Sequence, residues 1–320
     1  MIPEEVVREL RYIEVSTARK MRNPRVGQYT SRLRGPGFDF DEHQPYRPGD
    51  DVRRIDWNVT ARMDAPFVRL THAERELTMM IAIDVSRSME LGTAHFSKRE
   101  TMMFITASLL FSALANQINT GFLAFSDQVI ASSPPRRTRA AAWAVLQQCW
   151  SAQSHATALE SARRGSRRFH PTALEGARRR RGTGRTALAP MVNHLLTTLR
   201  RMSIVFLVSD FITDDDGFGS RELAMLAARH EVIAIVPEDR SERELPAGPG
   251  YWQVRDLETG RHVAVDLGVR SRELYAAEAQ RRRDRLVEAF YRVPLEYIFV
   301  STDQSPVEPV LSFFARRIAR

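Results

Sequence analysis

The string Asp84-Val85-Ser86-Arg87-Ser88 sets one carboxylate and two hydroxyls at alternate positions, and Thr186 and Asp210 offer a third hydroxyl and a second carboxylate farther along the chain. All five donors are oxygens. Hard divalent cations take such ligands, ask for near-octahedral geometry and usually keep some water. Alternation along an extended loop would point Ser86 and Ser88 the same way as Asp84. Two carboxylates balance the charge of a divalent ion and the hydroxyls add none, so aspartates acting through water would leave the ion electrophilic. Its open position then suits an anionic oxygen, and an Asp or Glu from another protein is the natural sixth ligand. The expected ion is magnesium, with manganese and calcium as alternatives. An isolated Asp-x-Ser-x-Ser string is a weak signal, because a chain this long contains one by chance about one time in ten. The blander reading is that the serines cap the next helix while Asp84 closes a turn.

Context strengthens the metal reading. Leu77 to Ile83 is a continuous apolar run of strand length that ends at Asp84, and Ile204 to Val208 is another that ends at Ser209-Asp210. Such runs suit strands buried on both faces of a parallel sheet. Thr186 opens a helix expected from Thr186 to Arg201, with Pro190 in the first turn, where proline is tolerated. Functional loops of an open parallel sheet lie outside the carboxyl ends of its strands, so all three segments can converge on one edge.

The remaining pattern supplies the scaffold. Helices are expected over Lys98 to Gln117, Thr138 to Trp150, Arg221 to Arg229, Ser271 to Arg292 and Val307 to Arg320; strands over Phe122 to Ile130 as a hairpin, Val232 to Val236, Tyr251 to Asp266 as a short pair, and Leu295 to Val300. Strands alternating with helices imply a mostly parallel sheet covered on both faces. Ahead of it, residues 1–76 form an expected N-terminal extension: an amphipathic helix over Pro3 to Arg22 that docks by Val7, Leu10, Ile13 and Val15, then short strands and turns from Tyr29 to Leu70 marked by Gly35-Pro36-Gly37 and Pro48-Gly49-Asp50. Residues 77–320 form the main domain. Asp50, Asp51, Arg53, Arg54, Asp56 and Trp57 are either a partner-recognition face or a turn held by internal ion pairs, with Ile55 and Trp57 as a buried anchor. The second account is favoured.

The net charge is +8, and between Glu160 and Arg185 lie nine arginines and two acids. That stretch, about 160–185, is expected to be a solvated loop, with polyanion or nucleic-acid binding as the alternative. Nucleic acid is the weaker partner, since only Phe169 and His170 interrupt the basic run and no recognition fold accompanies it. Cys149 is the sole cysteine and falls in a helical stretch, where a packed, inert thiol is expected. There is no signal peptide at Met1 to Glu14 and no apolar run of membrane-spanning length, so the expectation is a cytoplasmic protein.

Arg34-Gly-Pro-Gly-Phe38, Tyr46-Arg-Pro-Gly-Asp-Asp-Val-Arg-Arg-Ile-Asp-Trp-Asn58, Ala61-Arg62 and Glu74-Arg-Glu-Leu77 resemble the bacterial family known as domain of unknown function 58, and Asp84, Ser86, Ser88, Thr186 and Asp210 resemble the metal-ion-dependent adhesion site of von Willebrand factor A domains. Ser301-Thr-Asp303 and Phe313 to Arg317 extend the likeness to nearly the whole chain. The resemblance implies a Rossmann-like A domain with an N-terminal extension, and assigns the five residues to three metal loops. Members of the family are associated with MoxR-type AAA+ ATPases, so it also implies an adaptor in chaperone-like assembly or maturation of client proteins. The arginine-rich stretch before Thr186 is longer than the family pattern, which leaves Thr183 as a substitute for Thr186.

Enzyme readings fare worse. A phosphoryl-accepting Asp84 of the haloacid dehalogenase type needs a carboxylate two residues on, where Ser86 stands. The three candidate loops hold no histidine, cysteine or lysine to act as base; His95 and His194 are the nearest in sequence. Gly182-Thr-Gly184 lacks the remaining glycines of a dinucleotide loop, and no Gly-Lys-Ser/Thr phosphate loop occurs.

Overall fold

Six strands make the central sheet, in the order β10-β7-β6-β3-β4-β5. They are β3 (Thr78–Asp84), β4 (Asn119–Phe125), β5 (Val129–Arg136), β6 (Ile204–Val208), β7 (Glu231–Glu238) and β10 (Glu296–Ser301). Every pair is parallel except β4 with β5, the expected hairpin at one edge. The computed structural model of the chain describes residues 2–21, 36–48, 50–63, 65–72, 77–93, 96–165, 186–213, 218, 220–255, 262–293, 295–310 and 312.

The continuous apolar runs follow from burial on both sides. Along β3, Met80 and Ala82 join one core cluster, while Met79, Ile81 and Ile83, one position out of phase, are buried on the opposite face. The first cluster is closed by α5 (Leu188–Thr198), α6 (Arg221–Arg229) and α7 (Val269–Arg292), through Met191, Val192, Leu195, Leu223, Leu226 and Phe290. On the other side α3 (Lys98–Ala115) packs between α1 (Glu4–Met21) and α4 (Arg139–Gly165). Strand order reverses around β3, with β4 to one side and β6 to the other, and the carboxyl end of such a switch point is where an open parallel sheet places its functional loops.

Several boundaries differ from the sequence reading. Helix α4 continues to Gly165, so 160–165 is helical; residues 166–185, the rest of the arginine-rich stretch, and Thr183 with it, lie outside the described residues. The closing helix is seen over 307–310, and 313–320 lie outside. Among the described residues no helix is long and apolar enough to cross a membrane. Cys149 is fully buried on α4, and burial pushes its thiol up to about 12, which fits an inert packing role.

Compactness divides the chain otherwise than at residue 76. Met1–Gly27 belongs with Leu77–Arg320, and Gln28–Glu76 is a separate unit. Helix α1 lies along α3 with Val6, Leu10 and Ile13 buried, an i, i+4, i+7 stripe, while Val15 is exposed. In the smaller unit, β1 (Pro36–Pro45) pairs antiparallel with β2 (Phe67–His72), and α2 (Trp57–Met63) sits between them in sequence. Among the described residues the aspartates there bond to the backbone, and Asp56 also forms an internal pair with His43 Nε2 at 3.0 Å. Asp50 accepts from Arg47 N–H (2.8 Å), Asp51 from Arg53 N–H (3.0 Å) and Asp56 from Asn58 N–H (3.0 Å). Trp57, at the start of α2, is 69% exposed and is no buried anchor; among the described residues of this unit Val68 is buried. The remaining two strands, β8 (Tyr251–Arg255) and β9 (His262–Asp266), form the expected short antiparallel pair.

Phe290 on α7 is fully buried and meets Phe211, Phe218 and Tyr297, at ring-centroid distances of 5.3, 5.5 and 5.2 Å. Phe290→Ala is expected to lower the unfolding free energy by about 3–5 kcal/mol in a denaturant titration; a loss below about 1 kcal/mol would show that the cluster adds little.

Candidate metal centre

Asp84 is the last residue of β3 and has no exposed surface. The ladder carries on for one residue past it, with Val85 N–H donating to Phe125 C=O at 2.8 Å. The chain then turns: Ser86 N–H donates to Asp84 Oδ1 at 2.8 Å, and Arg87–Glu90 forms a 3-10 turn. This turn, and not an extended alternation, brings Ser86 Oγ to 3.1 Å from Ser88 Oγ. The blander reading of the serines does not hold, since Ser86 caps nothing with its side chain and α3 is capped by Ser97 in a reciprocal box with Glu100. Gly92 makes the return possible: a Cβ there would lie 2.6 Å from Ser97 Cβ.

The other donors arrive from neighbouring strands. Thr186 lies two residues before α5, and its Oγ1 donates to Asp84 Oδ2 at 3.0 Å. It is pinned on both sides, by Thr213 Oγ1 donating to its carbonyl (3.0 Å) and by Ala187 N–H donating to Ser126 C=O (3.0 Å). From the end of β6, Ser209 Oγ also donates to Asp84 Oδ2, at 2.6 Å. The sequence reading passed over Ser209, although it adjoins Asp210 at a strand end. Next to it Asp210 accepts from Ile212 N–H (3.2 Å) through Oδ1. Phe211 between them takes φ +55°, a left-handed backbone that a bulky residue adopts only under constraint.

A residue that the sequence reading did not single out completes the cluster. Lys98 opens α3, has no exposed surface, and places its Nζ 3.0 Å from Asp210 Oδ2 and 2.5 Å from Glu242 Oε1. Glu242 is fixed by a capping box over Arg240–Glu242, its Oε2 accepting from Asp239 N–H at 2.9 Å. Asp239, at the end of β7, accepts in turn from Thr93, Ser241 and Thr302. In sequence, Ser97-x-x-Glu100 marks only a helix start at Lys98 and does not say where that ammonium points.

Charge follows from burial. Burial raises the Asp84 carboxyl to about 6, and the Asp210 charge adds to it, against hydrogen bonds from Ser209 and Ser86. Burial alone would lower the Lys98 ammonium, yet Asp210 and Glu242 raise it above its ordinary value. Glu242 nevertheless moves up, because burial and Asp210 outweigh the attraction of Lys98. Asp239 behaves differently: burial pushes it up, but the hydrogen bonds from Thr93 and Ser241 bring it down to about 2.

The structure thus brings together Asp84, Ser86, Ser88 and Thr186 by direct hydrogen bonds, with Asp210 beside them through Ser209. Neighbouring oxygens around an octahedral magnesium ion stand about 2.9 Å apart, and the Ser86–Ser88 and Asp84–Thr186 separations of 3.1 and 3.0 Å fit that edge. Among the described residues no three His, Cys, Asp or Glu side chains cluster to hold a metal, so a cation here depends on the hydroxyls. Of the two histidines nearest in sequence, His194 pairs with Ser132 Oγ on β5 at 3.2 Å, and His95 lies outside the described residues.

The raised Asp84 fixes a sign. Its folded-state affinity for a proton exceeds that of the unfolded chain, so its contribution to stability is full below about pH 4 and is lost as pH rises through about 6. With divalent ions chelated, Asp84→Asn is expected to be more stable than the native chain at pH 7.5, on the order of 1 to 3 kcal/mol, with the difference closing toward pH 4. Thermal melts across that range check it, and an Asn variant less stable at pH 7.5 would count against a strained carboxylate.

Residues 42–285 match the family described as "Protein of unknown function DUF58". An uncharacterized protein of Mycobacterium tuberculosis is 29% identical over 310 residues, covering 96% of this chain and 88% of that one, and one of Mycobacterium bovis matches to the same extent. Among solved structures, an aerotolerance-related membrane protein of Bacteroides fragilis overlaps 75% of this chain and 99% of its own at 13% identity and a TM-score of 0.40. A von Willebrand factor type A protein of Catenulispora acidiphila overlaps 79% of this chain and 44% of its own at 10% identity and a TM-score of 0.39. Overlaps this loose say nothing about activity, whereas the family match spans most of the chain: this protein belongs to the DUF58 family.

Proposed function

We propose that the chain is a metal-dependent protein–protein interaction module, working as an adaptor with a MoxR-type AAA+ ATPase in the assembly or maturation of client proteins. One observation carries the reading: a buried carboxylate met by Ser86 N–H after β3, by the Thr186 hydroxyl before α5 and by the Ser209 hydroxyl after β6. Such a donor set suits magnesium, or manganese or calcium in its place. Asp84, Ser86, Ser88, Thr186 and Asp210 would hold the ion, and an Asp or Glu of the partner would complete its shell. What the ion supplies is a positive centre between two protein surfaces.

The reading is non-catalytic. The ammonium of Lys98 is committed to two carboxylates, and His194 to Ser132. Neither is poised as a base beside Asp84. ATP hydrolysis would belong to the partner.

Two measurements test it. With a dissociation constant on the order of 1 mM, about 10 mM magnesium would stabilise the fold by roughly 1.4 kcal/mol through mass action. Against chelator, that is a rise of roughly 2 °C in melting temperature; melts in magnesium, manganese and calcium that all match the chelator melt would remove the metal. Capture of a MoxR-type ATPase should depend on the ion and vanish in Asp84→Ala and in Ser86→Ala/Ser88→Ala, with circular dichroism unchanged. Undiminished capture in both variants would put the interface elsewhere.

A further inference from the structure

Lys98 is out of place by every local rule. Lysine is rarely buried completely, yet this side chain has no exposed surface and is among the largest fully buried ones. It sits in the first turn of α3, where the helix dipole disfavours a cation. The chain has 47 basic residues, and Lys20 and Lys98 are its only lysines, so arginine was the default cation and was not used here. The ammonium carries three donors on one nitrogen, so a single atom serves one oxygen of each of the two carboxylates.

Its partners are held for it. Asp210 gives Oδ2 to the ammonium and Oδ1 to Ile212 N–H. Glu242 gives Oε1 to the ammonium and Oε2 to Asp239 N–H. Both oxygens of each carboxylate are engaged without any metal. With all groups ionised, Asp84, Asp210 and Glu242 carry three negative charges against one on Lys98, and the remainder is the charge that one divalent ion neutralises.

We propose that Lys98 is a resident cation that ties up an oxygen of Asp210 and of Glu242, and so holds the affinity of the site for a divalent ion down. The inference rests on the metal reading given above and extends it to how strongly the ion is held. A weakly held ion keeps charge to spare for an outside carboxylate. Deleting the ammonium hands the metal a freed aspartate and a third uncompensated negative charge, and both strengthen its binding.

The test is calorimetric titration of the full chain with magnesium and with manganese, comparing the native protein, Lys98→Met and the double variant Lys98→Met/Glu242→Gln. Methionine keeps the length of lysine without its charge. The double variant retains the formal charge of the native site, which keeps the comparison open where the single variant fails to fold; thermal melts report folding. Lys98→Met should bind metal tenfold tighter or more, and the double variant severalfold tighter because Asp210 is released. Metal binding by the native chain, with equal or weaker affinity in the folded variants, would overturn the role of Lys98 and leave the metal site standing. No binding by any of the three proteins would withdraw the metal site and this role with it, whereas binding by the variants alone would support both.

Discussion

Taking the Asp84 carboxylate out of water is costly unless donors replace the solvent it loses, and much of the local architecture answers that cost. The donors come from places far apart in sequence: Ser86 from the turn after β3, Thr186 from the segment before α5, Ser209 from the end of β6. They meet only because β3 is paired in parallel register with β4 on one side and β6 on the other. A one-residue slip in either pairing would turn alternate side chains to the other face and remove the hydroxyls from the carboxylate. Register and site are therefore one specification.

How much of this was legible in the sequence depended on the range of the interaction. Leu77 to Ile83, Ile204 to Val208 and Val232 to Val236 are apolar because both faces of the sheet are covered, so a local pattern revealed β3, β6 and β7 and the two aspartates that end β3 and follow β6. Of the three residues that hydrogen bond Asp84 directly, Ser86 and Thr186 could be picked from residue type and context, whereas Ser209 was hidden in plain sight beside Asp210. Lys98 could not, because its partners lie 112 and 144 residues away and a lone basic residue in a helix reads as a solvated one. The same limit explains Trp57, whose size suggested burial although its place at the start of α2 leaves it exposed.

Helix boundaries erred for a related reason. Composition around 160–165 is arginine-rich and looks like loop, yet arginine is a good helix former and α4 carries on through it. At the other end of the chain, the stripe on α1 was found, one residue out of phase at its start, and its consequence was missed. Val6, Leu10 and Ile13 are spent against α3, which assigns the helix to the larger unit and leaves 28–76 as a compact piece with its own strand pair. An amphipathic face announces that something covers it, not what.

Phe211 connects two of these observations. Its left-handed backbone is an unfavourable turn for an aromatic residue; its N–H donates to Ser209 Oγ at 2.9 Å, and its ring packs against Phe218 and against Phe290 in the last turn of α7. The loop that aims Asp210 is thus held from the helix side by ring packing and from the sheet by Ser209 N–H, which donates to Ile235 C=O at 3.2 Å. Any change that shifts the last turn of α7 would therefore act, ring against ring, on the residue bonded to that aspartate.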